Sequence, residues 1–186
     1  MSPLCSENKN RFYQHYRTVP LQPVNCIRDC PEIFSAETNM TETFNPLKLE
    51  NQLCFPLYVC AKEVIRRYKP FLDELDLTYT QYITMMALWE HRSLSIKGLG
   101  KILFLDSGTL TPVIKSLEKK GYVIRERSKD DERVVNVTLT EQGSSLYNEA
   151  LQVPVKMSSC IELSAEEAGT LYSILHKLAD NLTEEN

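Results

Sequence analysis

A chain of 186 residues is long enough for one compact domain and an additional arm. Its 42% hydrophobic content fits an ordinary globular core, and no apolar run has the length needed to cross a bilayer. A net charge of −4 argues against indiscriminate nucleic-acid binding, but residues 94–140 hold nine Lys/Arg against six Asp/Glu, leaving twelve against nineteen elsewhere.

Residues 1–46 are interrupted by Pro3, Pro20, Pro23, Pro31 and Pro46 and keep no apolar period, which reads as a poorly ordered N-terminal extension. A natural start at Met40 is the alternative. The first residues show no basic stretch followed by an apolar one, so a secretory signal is not expected and the cytoplasm is the expected compartment. In that reducing setting the cysteines at 5, 26, 30, 54, 60 and 160 are not expected to form a permanent disulfide framework. Cys26 and Cys30 with the scattered His15, His91 and His176 do not complete a zinc set, so neither metal nor cofactor is expected.

From residue 47 the pattern becomes helical. Leu49, Leu53, Leu57, Val64 and Ile65 predict a first helix over about 47–70, closed by Pro70. Thr78-Tyr-Thr-Gln leads into the apolar run Tyr82–Trp89, a second helix. Ser95 is placed to cap a short third helix carrying Ile96, Leu99 and Leu103, weakened by Gly98 and Gly100. Asp106-Ser-Gly-Thr109 offers caps for a fourth helix marked by Val113, Ile114 and Leu117, with Pro112 near its start and Gly121 past its end. The period then falls to two over Val123–Arg127 and again over Val134–Leu139, flanking a polar turn, which predicts a β-hairpin with a charged tip. A helix from about Glu141 to Val153 follows, then one opened by Ser164 and Glu167 and running to about Leu182.

A short helix, a turn, a polar-faced helix and a hairpin in this order predict a mainly α fold with a small β wing, a winged helix-turn-helix. In such a fold the start of the second helix enters the major groove. Asp106, Ser107, Gly108, Thr109, Thr111 and Pro112 occupy that start, and Lys115, Lys119 and Lys120 lie along the same helix within reach of phosphates. At the hairpin tip Arg133 suits a narrow minor groove, with Asp131 placed to hold it. Taken singly, each feature favours a merely capped helix and a solvated turn; taken in order, they favour DNA.

Phe104-Leu-Asp-Ser-Gly-Thr-Leu-Thr-Pro112, Leu117-Glu-Lys-Lys-Gly-Tyr-Val123, Asp130-Asp-Glu-Arg133 and Leu139-Thr-Glu-Gln-Gly143 resemble the MarR family of dimeric regulators. The resemblance covers the chain from about residue 47 and implies a homodimer whose first and last helices (about 47–70 and 141–182) interlock. Two winged parts, about 94–140 in each copy, would then meet a pseudo-palindromic double-stranded operator, with no membrane involved. Leu49-Glu-Asn-Gln-Leu-Cys-Phe55 with Tyr58, Tyr68 and Tyr79 is similar to the organic hydroperoxide resistance branch of that family. The resemblance implies that Cys54 is a peroxide-reactive thiolate, that Tyr68 and Tyr79 hydrogen-bond to it, and that Cys160 resolves the oxidised form across the dimer.

Helix geometry supports part of this. At about 100° per residue, Tyr58 lies about 40° from Cys54 and Tyr68 about 40° the other way, so one face carries all three. Phenolic donors stabilise a thiolate over a thiol, and a thiolate yields a sulfenic acid open to a second thiol. A small buried hydrophobe is the ordinary role of a free cysteine, and a core aromatic that of Tyr58. Cys60, about 120° from Cys54, is expected in the core. Pro56 requires either a kink or a helix that starts near Cys54. The expected function is a repressor released from DNA by organic hydroperoxide through a Cys54–Cys160 disulfide. The alternatives are a broader oxidative-stress or virulence regulator using Cys54 alone, and a ligand-responsive repressor without redox chemistry. A thiol peroxidase would have no use for the recognition helix and wing, so an enzyme is not expected.

Overall fold

The computed structural model describes residue 45, residues 47–128, residue 131 and residues 133–183. Residues 1–44 and Pro46 of the expected extension, the possible start at Met40, and Lys129, Asp130 and Glu132 of the expected hairpin tip lie outside the described residues. The chain divides into two compact units, Met1–Lys62 and Glu63–Asn186.

In the first unit a 3-10 turn, Leu49–Asn51, precedes α1, Cys54–Asp73, whose first residues belong here. The expected helix over 47–70 therefore begins later and ends later. Pro56 is the third residue of α1, in the first turn, where N–H groups have no intrahelical acceptor and a missing one costs nothing. Pro70 lies within the helix and does not close it.

The second unit continues with α2 (Tyr79–His91), β1 (Ser93–Ser95), α3 (Ile96–Leu103), α4 (Ser107–Lys119), β2 (Val123–Arg127), β3 (Val135–Leu139), α5 (Glu141–Ala150), α6 (Gln152–Ser158) and α7 (Ala165–Thr183). Among the described residues the fold is mainly α with one small antiparallel sheet of order β1-β3-β2. The hairpin pairs Val123 with Leu139 and Arg127 with Val135, while Leu94 of β1 pairs with Val137. β1 was not expected from sequence, because three residues are too few to show a period of two.

The helix expected over 141–153 is two helices. Pro154 carries no N–H and its ring crowds the carbonyl four residues back, at Ala150, the last residue of α5. Caps fall where sequence placed them: Ser95 Oγ accepts from Gly98 N–H at 3.0 Å, and Ser164 and Glu167 close a reciprocal box.

Helix α2 forms the middle of this unit, with Tyr82, Thr84, Met85, Ala87 and Leu88 all buried. Leu99, Leu110, Ile114, Leu117 and Val137 close around it with no exposed surface. Each such side chain contributes about 1.5–3 kcal/mol relative to exposure, which seats α3, α4 and the sheet on one core. Helix α7, by contrast, buries none of its residues.

Candidate nucleic-acid interface and sensor thiol

Helices α3 and α4 are joined by Phe104, in the left-handed region at φ 52°, Leu105 and Asp106. Gly100 makes the turn tight enough: a Cβ there would stand 2.7 Å from the Leu105 carbonyl oxygen, and the Leu105 N–H bonds the Gly100 carbonyl at 3.0 Å. Asp106 caps α4, with Oδ1 accepting the Thr109 N–H at 2.9 Å and Oδ2 the Thr109 hydroxyl at 2.7 Å. Those bonds, the Thr109 hydroxyl first, hold the Asp106 carboxyl below the usual aspartate range.

The buried stripe of α4, Leu110, Ile114 and Leu117, turns the opposite face outward, so Ser107, Gly108, Thr109, Pro112, Lys115 and Lys119 are exposed. Thr111 is half-buried and donates its hydroxyl to the Ser107 carbonyl at 2.6 Å. Two expectations are corrected here. Pro112 is the sixth residue of α4, beyond the first turn, so its missing N–H deprives the exposed Gly108 carbonyl of its helical donor. Lys120 does not extend along the face: its ammonium meets Asp76 Oδ2 at 3.1 Å, the Asp76 carbonyl, and Gln81 Oε1 at 3.4 Å.

At the hairpin tip Asp131 and Arg133 are exposed. The Asp131 carboxylate accepts the Arg133 backbone N–H at 3.0 Å, so it holds the turn's backbone where sequence had it gripping the side chain. Strand β2 is fastened to α4 by Arg125, whose Nε donates to Glu118 Oε2 at 2.8 Å; this bond keeps the Glu118 carboxyl below its usual range. Neither residue stood out in sequence, because a pair seven residues apart across a helix end and a strand has no local period.

In the first unit, Cys54 is the first residue of α1 and is exposed. Tyr58 is 61% exposed, so it is no core aromatic in this chain, and Cys60, expected in the core, is exposed as well. Both are corrections with one observation behind them: the buried residue of α1 is Leu72, near its far end, so the first turns of the helix supply no core position.

In the second unit Tyr68 and Tyr79 lie together, ring centroids 5.1 Å apart. Tyr82 joins them at 6.0 Å from Tyr68, and it was read in sequence only as part of an apolar run. Burial first, then Tyr79, push the Tyr68 hydroxyl above the ordinary phenol range. Cys160 is half-buried in the turn after α6, its sulfur 3.7 Å from the Lys156 carbonyl. Lys156 pairs with Glu74 and lies over the Phe71 ring, 5.7 Å from its centroid, which ties α6 to the end of α1. Among the described residues no group of three or more His, Cys, Asp or Glu could hold a metal ion, and no helix is long and apolar enough to cross a membrane.

The family model described as transcriptional regulator SarA/Rot matches residues 66–150. An organic hydroperoxide resistance transcriptional regulator of Bacillus subtilis is 44% identical over 147 residues, 79% of this chain and 100% of the relative. The HTH-type transcriptional regulator SarZ of Staphylococcus aureus is 46% identical over 127 residues, 68% of this chain and 86% of the relative. Among solved structures, reduced AbfR of Staphylococcus epidermidis bound to DNA superposes with a TM-score of 0.65 at 33% identity, covering 72% of this chain and 92% of that one. A disulfide form of AbfR scores 0.53 at 34% identity over 74% and 93%, and reduced MarR of Escherichia coli scores 0.59 at 27% over 68% and 96%. Fold, capped α4 and relatives together define a winged-helix transcriptional regulator, not an enzyme. The chain belongs to the MarR family, in its organic hydroperoxide resistance branch.

Proposed function

We propose that the chain is a DNA-binding repressor, cytoplasmic and homodimeric, that releases its operator when Cys54 is oxidised by an organic hydroperoxide. The observation that carries the redox step is the exposed Cys54 at the first position of α1, in a chain alike along the whole length of the Bacillus subtilis hydroperoxide regulator. Ser107, Gly108, Thr109, Thr111 and Pro112, with the Asp106 cap behind them, form the end of α4 that enters the major groove of double-stranded DNA. Lys115 and Lys119 meet phosphates, and Arg133, on the turn braced by Asp131, reaches the minor groove.

The Cys54 thiolate attacks the peroxide oxygen distal to the organic group. The S–O bond forms, the O–O bond breaks, and the alkoxide leaves and takes a proton to become the alcohol. Tyr68 and Tyr79, and Tyr58 beside Cys54, act as hydroxyl donors that favour the thiolate. The Cys160 thiolate of the second copy then attacks the sulfenic sulfur, forming the S–S bond and expelling hydroxide, which leaves as water. A disulfide tolerates little geometric slack, so closing it across a dimer turns the winged units against each other.

Operator binding followed by fluorescence anisotropy, titrated with cumene hydroperoxide and with hydrogen peroxide, tests this. Wild type is expected to release DNA on stoichiometric hydroperoxide and to form a reducible covalent dimer. Cys54→Ser should stay bound, and Cys160→Ser should lose the covalent dimer. Release by Cys160→Ser as complete as wild type would make Cys54 the whole switch. Release by Cys54→Ser would overturn the redox reading in favour of ligand control.

A further inference from the structure

Between the first turn of α2 and the second half of α4 lies a polar cluster that DNA contact and thiol chemistry leave unused. Gln81 is buried, at 6% exposure, and its amide is engaged on both sides. Oε1 accepts the Thr78 backbone N–H at 3.0 Å and the Lys120 ammonium at 3.4 Å, while Nε2 donates to Ser116 Oγ at 2.9 Å. The Gln81 backbone N–H returns to Thr78 Oγ1 at 3.3 Å. A capping box needs only the two bonds with Thr78. The other two leave α2 for residues 35 and 39 positions further along the chain. Tyr79 stands inside the box as the first residue of α2.

We propose that Gln81 is a positioning residue that couples Tyr79 to the recognition helix, delivering any shift of the first turn of α2 to α4 through Ser116. The inference rests on the redox reading above, in which Tyr79 responds to the state of Cys54. Its physical basis is that one buried amide serves both helices. Among the described residues no buried side-chain polar atom lacks a partner. If the first turn of α2 moves and α4 does not, the amide must give up Thr78 or Ser116 and leave a buried donor or acceptor unpaired. Moving both helices together keeps the network whole. Lys120 adds a second strand to the link, since the same ammonium holds Asp76, two residues before Thr78. Ser116, Lys115 and Lys119 all follow Pro112 within about two turns of the same helix, so a displacement of Ser116 is carried to both lysines.

The test uses Ser116→Ala, which cuts the link outside the DNA-facing residues, and Ser116→Thr, which retains the hydroxyl. The probe is a labelled duplex from the region upstream of this chain's own gene. Operator Kd is measured before and after one equivalent of cumene hydroperoxide, alongside the rate of Cys54 thiol loss by mass spectrometry. Ser116→Ala should shrink the oxidised-to-reduced Kd ratio by about fivefold or more, leave thiol loss unchanged within about twofold, and be rescued by Ser116→Thr. An unchanged ratio in Ser116→Ala overturns the coupling, as does a changed one that Ser116→Thr fails to rescue. A double-mutant cycle on the reduced protein, Tyr79→Phe with Ser116→Ala, should be non-additive in operator Kd by about threefold; additivity overturns the coupling. A wild-type ratio of one with a non-additive cycle sinks the redox reading while supporting the link; a ratio of one with additivity sinks both.

Discussion

Asp106 is an acid at the end of α4 that is proposed to meet a polyanion. Both its oxygens are spent on Thr109, so it serves that end by ordering it. Its folded carboxyl lies below the ordinary value of 3.8, the Thr109 hydroxyl being the chief cause. A group depressed in the folded state stabilises fully above its unfolded value and loses that contribution as the pH falls through the folded one. Thermal melts between pH 5 and pH 2.5 should therefore show a steeper acid loss for wild type than for Asp106→Asn, which caps without titrating. Parallel curves would mean that the ionisation of Asp106 does not contribute to folding. This residue was legible in sequence as one of several candidate caps in Asp106–Thr109, since a cap and its partner sit three positions apart. Lys120 was not, because a lysine on a helix looks the same whether it reaches for phosphate or for Asp76.

At the level of elements, the motif ending in Gly143 has a reason in packing. A Cβ on Gly143 would lie 2.0 Å from the Tyr122 carbonyl oxygen, backbone that cannot swing aside. Its N–H donates to the Thr140 hydroxyl oxygen and its carbonyl accepts the Trp89 indole N–H at 2.8 Å, so α5, α2 and the hairpin base meet there. Gly143→Ala should destabilise by about 1–3 kcal/mol, read as a lower Tm and a lower denaturant midpoint. A melt indistinguishable from wild type would show that α5 can back away freely. The break between α5 and α6 was legible in principle from Pro154, whereas β1 exists only because β3 offers it an edge at Leu94–Val137. Strand pairing of that kind is non-local and leaves no trace in three residues.

For the molecule as a whole, α7 presents Leu171, Ile174, Leu175, Leu178 and Leu182 at helical spacing and buries none of them. Large apolar faces on a single chain mark interaction surfaces, and the proposed homodimer would use this one. Ile174→Glu with Leu175→Glu should convert a dimer to a monomer by light scattering and weaken operator binding at least tenfold, because two half-sites are no longer held together. A double variant that keeps the dimer mass would remove α7 from the interface. The partner proposed for Cys160 comes from the resemblance to two-cysteine regulators, since a contact between two copies cannot be read from the packing of one.

What sequence determined alone was local or periodic: the helices from α2 to α4, their caps at Ser95 and Asp106, the hairpin, and the order that makes a winged helix. Backbone hydrogen bonds within one turn and apolar spacings of 3.6 or 2 are written directly in neighbouring residues. Tertiary structure alone decided which charged and polar groups are free. It turned Lys120 inward, set Asp131 on a backbone N–H, brought Tyr68 beside Tyr79, and joined Gln81 to Ser116. Those outcomes depend on which surfaces meet when the apolar faces close, and a side chain's partner across the core lies dozens of residues away.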